Sequence, residues 1–201
     1  MHVTSRDLVK RALEFRSPER APRQLWTLPW AEEHYPEQLA EIQRRFPDDI
    51  VGAPACLRRQ PPKQGNMYTV GAYVDEWGCV FQNVQAGVHG EVREPALKDW
   101  GRVDEVRFPE ELLTVDVDAV NAFCRSTDRY VLAGTCPRPF ERLQFYRKSE
   151  NLYTDLGEAR PEMLAFLARL HDFYLKNWRS GSRPTSTLST SWTIGARSGR
   201  C

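Results

Sequence analysis

The chain has 201 residues, 41% of them hydrophobic and 27% charged, which is the composition of one ordinary globular domain. Its net charge is +1, but five basic residues follow Leu175, so residues 1–175 alone have a net charge of −4. An acidic globular part of this kind argues against a nucleic-acid partner. No apolar run reaches the roughly 18 residues of a membrane span and the N-terminus lacks a signal-peptide core, so we expect a cytoplasmic protein with no membrane partner.

The first quarter of the chain carries apolar residues at helical spacing, interrupted by prolines. Thr4 is a favourable helix cap, and Ser17-Pro18 stops the first apolar stripe. The predicted elements are a helix over residues 4–15, a short strand over 21–30, a helix over 31–45 and a short buried strand over 50–53.

The middle and last parts of the ordinary globular sequence alternate between strand and helix patterns. The predicted elements are a loop over residues 58–70, one or two hairpins over 68–92, a helix over 116–126, a strand over 130–133 and helices over 140–147 and 161–176. This alternation predicts a parallel α/β architecture with a β-hairpin insertion. Ligands bind beyond the carboxyl ends of strands in such folds, so residues 54–56 and 134–138 are the first places to seek a site.

The composition changes abruptly near Asn177. No Asp or Glu follows Asp172, and residues 180–201 are mostly Ser, Thr, Arg and Gly. Such a stretch buries too little apolar surface to offset the entropy of ordering it. We therefore divide the chain into a globular part, residues 1–176, and a disordered tail, residues 177–201.

Six short segments of the globular part resemble segments of a known family. In chain order they are Ser-Arg-Asp-Leu-Val-Lys-Arg-Ala-Leu-Glu-Phe at 5–15, Pro-Glu-Arg-Ala-Pro at 18–22, Arg-Arg-Phe-Pro at 44–47, Asp-Glu-Trp-Gly-Cys-Val at 75–80, Ala-Gly-Thr at 133–135 and Pro-Phe-Glu at 139–141. In order and spacing they resemble the uroporphyrinogen decarboxylase-like superfamily, and in particular its methyltransferase-like branch. The family fold is a TIM barrel, so the resemblance implies that residues 5–176 are its N-terminal half.

The resemblance implies a parent enzyme that acts on a tetrapyrrole or a corrinoid-linked substrate. The family's decarboxylases carry an Arg-Gln-Ala-Gly-Arg-Tyr motif, of which Arg23-Gln24 keeps only two residues and stands too early. They also place a catalytic Asp where an ungapped match puts Cys56, and a thiol cannot stabilise a protonated pyrrole as a carboxylate does. Methyl transfer is therefore favoured over decarboxylation.

The resemblance also bears on cofactors and partners. This chain itself is expected to hold no cofactor, because the zinc ligands of the methyltransferase branch belong to the other half of the barrel. The parent would use zinc or a corrinoid, with a small-molecule substrate or a corrinoid protein as its partner. His89 and Cys79 fall on the predicted hairpin, but two such residues do not make a metal site, and Cys56 is interpreted as a packing thiol.

Four residues are candidates for substrate binding. Asp75 and Trp77 belong to the Asp-x-Trp-Gly element, which resembles part of the barrel mouth, although an Asp before Trp-Gly also suits a turn. Arg138 follows a predicted strand with Pro on both sides, which favours anion recognition. Glu141 begins the next helix, where its charge also suits the helix dipole. No catalytic residue is assigned.

The tail suggests why only half of a barrel is recognisable. Back-translation of residues 177–201 in a shifted frame permits a sequence containing Met-Asp-Asp-Trp-Gly, which is close to what the family should show next. The codons of Trp192 and Thr193 allow only Asp in the shifted frame, and this Asp is the first of the two in Met-Asp-Asp-Trp-Gly. We therefore expect a frameshift near Asn177 and a truncated, inactive product that self-associates through its open barrel edge.

Two other interpretations of the chain remain open. It could be a complete small α/β binding protein with a disordered basic tail, which would keep its fold when cut at Lys176. It could also be an active enzyme, including a genuine uroporphyrinogen decarboxylase, that assembles two half-barrels into a dimer.

Overall fold

The computed structural model describes residues 3–132 and 137–181. Within these ranges the fold is mixed α/β, with two small sheets, and neither sheet closes into a barrel. The helices are α1 (Ser5–Leu13), α2 (Pro29–His34), α3 (Pro36–Arg45), α4 (Val117–Ser126), α5 (Pro139–Gly157) and α6 (Pro161–Gly181). The strands are β1 (Ile50–Gly52), β2 (Gly71–Val74), β3 (Val80–Asn83), β4 (Glu91–Val92) and β5 (Tyr130–Leu132), and two short 3-10 helices span Trp100–Glu105 and Glu110–Leu113.

The first sheet is a parallel pair made by β1 and β5, in which Ile50 lies opposite Tyr130. Helix α4 precedes β5 and is capped by Asp116, whose carboxylate accepts hydrogen bonds from the backbone N–H groups of Asp118 and Ala119. A small core lies between this helix and the pair, formed by Val120, Cys124 and Val131 with half-buried neighbours. The predicted parallel α/β pattern is thus present, but with only two paired strands among the described residues.

The second sheet is antiparallel and has the order β2-β3-β4. It confirms the hairpins predicted within residues 68–92. The tight turn after β3 includes Gly87, at φ 77°, where a Cβ would come within 2.5 Å of the Trp30 Cα atom. Glycine is therefore required there, both by the backbone conformation and by the close approach of α2.

The main core joins this antiparallel sheet to α5 and α6. Its buried members include aromatic residues from the sheet and from both helices, and their rings pack edge to face. The residues are Tyr73, Trp77, Cys79, Phe81, Leu97, Trp100, Leu143, Tyr146, Leu152, Met163, Phe166, Leu170 and Phe173. The apolar face predicted for the helix at 161–176 supplies four of them, so that amphipathic interpretation is correct.

Four predicted elements differ from the structure. Residues 21–28 are extended but form no strand, and the predicted helix over 31–45 is two helices, because Pro36 cannot continue α2. Helix α5 runs well past Arg147 and bends at Lys148, which has φ 58° and ψ 163°. Helix α6 continues beyond Lys176 to Gly181, and the Asn177 side chain is buried and donates a hydrogen bond to the Leu112 carbonyl.

Among the described residues, no helix has the length and apolarity needed to cross a bilayer.

Candidate functional site

The carboxyl ends of β1 and β5 lie at the same edge of the parallel pair. The chain leaving β1 keeps this contact, because the Ala53 N–H donates to the Leu132 carbonyl at 2.8 Å. Helix α4 returns the chain to the start of β5, so its N-terminus is level with the carboxyl ends of the strands. The Asp116 N–H accordingly donates to the Cys56 carbonyl at 2.8 Å. This is the edge at which an α/β fold binds ligands.

A cavity of about 520 Å³ opens where the chain beyond β1 meets the N-terminus of α4. This volume lies in the range of small-molecule sites. Its lining is mostly apolar, with two adjacent arginines, and consists of Arg58, Arg59, Leu113, Thr114, Val115, Val117 and Ser180. We call this space the strand-end cavity.

Backbone contacts fix the two arginines of the strand-end cavity. The Arg58 N–H donates to the Thr114 carbonyl at 2.8 Å, and the Arg59 N–H donates to the Thr114 hydroxyl at 3.1 Å. Leu57 and Val115 form an isolated antiparallel bridge beside them. Both arginine residues are exposed, so their guanidinium groups line the cavity while keeping contact with solvent.

The predicted site residue Asp75 lies inside the protein. One carboxylate oxygen accepts hydrogen bonds from the backbone N–H groups of Trp77 and Cys79, at 3.0 and 2.8 Å. The other accepts from the Arg142 guanidinium at 2.6 Å. Both oxygens of this buried carboxylate are thus engaged, one in holding the turn between β2 and β3 and the other in pairing with α5.

Trp77 is a core residue in this structure. Its ring packs edge to face on Phe108 and Phe173, and its carbonyl accepts a hydrogen bond from the Tyr146 hydroxyl at 2.9 Å. The Arg142 guanidinium lies over the same ring, 4.7 Å from its centroid. Asp75 and Trp77 are therefore brought together, as two parts of one buried cluster.

Arg142 is the member of this cluster that the sequence did not reveal. It lies in the first turn of α5, 67 residues from Asp75, and its side chain is only 12% exposed. Its Nε atom is buried and has no hydrogen-bond partner among the described residues. Burial raises the pKa of the neighbouring Cys79 thiol to about 12, and the Asp75 charge adds to the rise, so this thiol is not a nucleophile at neutral pH.

Arg138 and Glu141 lie at the start of α5, on its solvent side. Arg138 occupies the cap position before the helix, and its guanidinium pairs with the Glu141 carboxylate at 3.1 Å. Both side chains are exposed, and the backbone carbonyl of Arg138 accepts a hydrogen bond from the Arg142 N–H. Arg142, the α5 partner of Asp75, thus lies in the same helical turn as the exposed pair. The rest of the predicted segment 134–138 cannot be compared in the same way, because residues 134–136 lie outside the described residues.

Other candidates have ordinary surroundings. Cys56 is half-buried against the small core of the parallel pair, as its packing interpretation predicted. His89 stacks at a tilt on Phe81, with 4.6 Å between ring centroids. In the part of the chain that the structure describes, no group of three His, Cys, Asp or Glu residues is arranged to hold a metal ion.

A second, polar cavity of about 300 Å³ lies beside Trp100 of the main core. It borders the buried Arg147–Asp155 pair, in which the two guanidinium nitrogens donate to the two carboxylate oxygens at 2.7 and 3.1 Å. Arg147 also donates to the carbonyls of Leu97 and Lys98. Because these groups satisfy one another, we assign them a structural role.

No family model, curated protein or solved structure matches this chain.

Proposed function

We propose that this chain is the N-terminal half of a uroporphyrinogen decarboxylase-like TIM barrel, whose parent acts on a tetrapyrrole or a corrinoid-linked substrate. The observation that carries the proposal is the parallel β1–β5 pair, with the strand-end cavity at its carboxyl edge. In a TIM barrel the active site is built at that edge by the loops that follow each strand. The six segments that resemble the family supply the choice of substrate class.

Methyl transfer is the more reasonable activity of the parent. Porphyrinogen decarboxylation needs a carboxylate beside the substrate, and the matching position is Cys56, a half-buried thiol that packs against the small core. Asp75 cannot take over that role, because both of its oxygens are engaged by Arg142 and by the turn. A corrinoid-linked reaction makes no such demand on this half of the barrel.

We expect the 201-residue product to be inactive by itself. Among the residues that the structure describes, each strand of the parallel pair has a neighbour on one side only, and an unpaired strand edge favours association with another chain. The extended residues 21–28 run beside the start of β1, where the Asp49 N–H donates to the Arg23 carbonyl. They leave Trp26 and Leu28 exposed. These surfaces are where the remaining strands of a barrel would pack.

The first test is the nucleotide sequence across and beyond the codon of Asn177. The proposal expects the shifted frame to continue through Met-Asp-Asp-Trp-Gly into further strand and helix patterns. The restored full-length protein should then bind hydroxocobalamin, measured by its change in absorbance, or a porphyrin, measured by fluorescence quenching. A shifted frame that soon closes, or a restored protein that binds neither, would overturn the proposal.

A second candidate is a small binding protein that uses the strand-end cavity without catalysis. The observation that favours it is the well-packed main core, which α6 completes through Phe166, Leu170 and Phe173. Truncation separates the two proposals, but it must follow Gly181, because Asn177 is buried and bonded to Leu112. A monomer that keeps a cooperative melt after that truncation favours the binding protein, and an aggregating one favours the half-barrel.

A further inference from the structure

We infer that the strand-end cavity binds a small organic anion, with a carboxylate or phosphate group at Arg58 and Arg59 and an apolar body against Leu113, Val115 and Val117. The inference rests on the proposed function in one respect: it takes the carboxyl edge of the β1–β5 pair as the edge at which the fold binds ligands. It adds the chemical class of the ligand and the residues that select it.

The charge of the cavity comes from two consecutive arginines. Among the described residues, neither guanidinium forms a hydrogen bond or an ion pair, although the exposed surface of this protein is rich in such pairs. Arg59 does interact with one acid, Glu111, whose pKa is lowered first by its own backbone N–H and then by Arg107 and Arg59. Since Glu111 forms its salt bridge with Arg107, the charge of Arg58 and Arg59 remains available to an anion.

The position of the two arginines is set by the backbone. Thr114 accepts the N–H groups of both, through its carbonyl and its hydroxyl, and that hydroxyl in turn donates to the Glu111 carbonyl at 2.7 Å. Ser180 also lines the cavity, and its hydroxyl donates to the Asn177 carbonyl at 2.7 Å. These hydroxyls are already used as donors, so the guanidinium groups are the donors left for a ligand.

The rest of the lining selects an apolar body. Leu113, Val115 and Val117 are half-buried, and none of the described residues that line the cavity is acidic. A guanidinium presents N–H donors in a planar fork that matches both carboxylate and phosphate oxygens. A ligand with one anionic end and a compact apolar remainder therefore fits this cavity better than a neutral or a purely inorganic one.

The test uses the full chain and four probes: benzoate, phenyl phosphate, inorganic phosphate and benzyl alcohol. Binding is measured by isothermal titration calorimetry at two salt concentrations. We expect both aromatic anions to bind more tightly than inorganic phosphate, and benzyl alcohol to bind least. The stronger of the two aromatic anions identifies the headgroup as carboxylate or phosphate.

Variants assign the binding to the cavity. Arg58→Gln with Arg59→Gln should weaken the better anion at least tenfold, since each lost charge-assisted contact is worth about a factor of ten. Arg125→Gln, an exposed arginine elsewhere on α4, should leave affinity unchanged. Val117→Ser should weaken the aromatic anions while leaving inorganic phosphate unaffected, because it removes apolar contact and no charge.

Thermal melts of every variant show that the fold is retained. Equal binding by the double variant, or equal binding of benzyl alcohol, would overturn the inference. Its failure is distinguishable from failure of the proposed function, because these probes contain no tetrapyrrole or corrinoid. If the aromatic anions bind but the shifted reading frame is closed, the anion site in the strand-end cavity is supported and the proposed family is not.

Discussion

Asp75 is the predicted site residue whose surroundings most clearly indicate a structural role. It is buried, and removing it leaves Arg142 as an uncompensated internal charge. We expect Asp75→Ala to lower the free energy of unfolding by about 3–5 kcal/mol, measured by urea denaturation. Asp104→Ala is the matched control, because Asp104 is 96% exposed and pairs with Arg169 at 3.6 Å; it should change stability by less than about 1 kcal/mol.

A double variant distinguishes a buried pair from two independent residues. Asp75→Asn keeps an oxygen for the turn, and Arg142→Met removes the charge that Asp75 neutralises. The loss of stability in the double variant should be smaller than the sum of the two single losses, because each single variant leaves the other residue buried without its partner. Additive losses would contradict the pairing of Asp75 with Arg142.

Asp49 gives the protein an acid-sensitive contact near its N-terminus. A hydrogen-bonded Arg20 lowers the pKa of this buried carboxyl to about 2, with further hydrogen bonds from the Arg23 N–H and the Ser5 hydroxyl. The folded pKa is below the unfolded value of about 4, so the stabilisation is fully present above pH ~5 and is lost as the pH falls to about 2. Its size is about 2 kcal/mol.

Denaturant titrations between pH 6 and pH 2 test this contact. Asp49→Asn should flatten the fall in stability at low pH, because the group that changes protonation is gone. Asp128→Asn, at an exposed aspartate, should leave the profile of the wild type unchanged. A profile that Asp49→Asn does not alter would show that other carboxyl groups control acid unfolding.

At the scale of elements, the bend in α5 lowers the stability of the fold locally. Lys148 has φ 58° and ψ 163°, a conformation that is essentially restricted to glycine. Lys148→Gly should therefore raise the free energy of unfolding by about 1 kcal/mol, measured by thermal and urea denaturation. Lys176→Gly is the control, because that exposed lysine is inside α6, where glycine should instead cost about 1 kcal/mol. Destabilisation by both changes would mean that α5 is continuous in solution.

At the scale of the whole molecule, exposed apolar surface beside the parallel pair should drive self-association. Trp26 is 80% exposed and belongs to the extended segment beside β1. We expect concentration-dependent sedimentation of the wild type, reduced by Trp26→Lys. Tyr153→Lys removes another exposed aromatic residue, on α5, and should not reduce it. A monomer at all concentrations would contradict the open-edge proposal.

Local signals predicted most of the elements because they act within a few residues. Thr4 and Asp116 cap the helices that follow them, and apolar spacing placed α1, α4 and α6. The expected strand at 21–30 was wrong for a physical reason, since a strand needs a partner and no neighbouring strand pairs with these residues in the described fold. The bend of α5 has no sequence signal, because lysine does not mark a positive φ.

The sequence by itself determined the amphipathic helices, their caps, the hairpin insertion and the change of composition near Asn177, because each depends on residues close together in the chain. Only the tertiary structure decided whether the candidate site residues are buried or exposed and which residues they contact. Asp75 and Arg142 are 67 positions apart, and their pairing depends on how α5 packs against the antiparallel sheet. The strand-end cavity likewise exists only because residues beyond β1 meet the start of α4, a contact that no local pattern encodes.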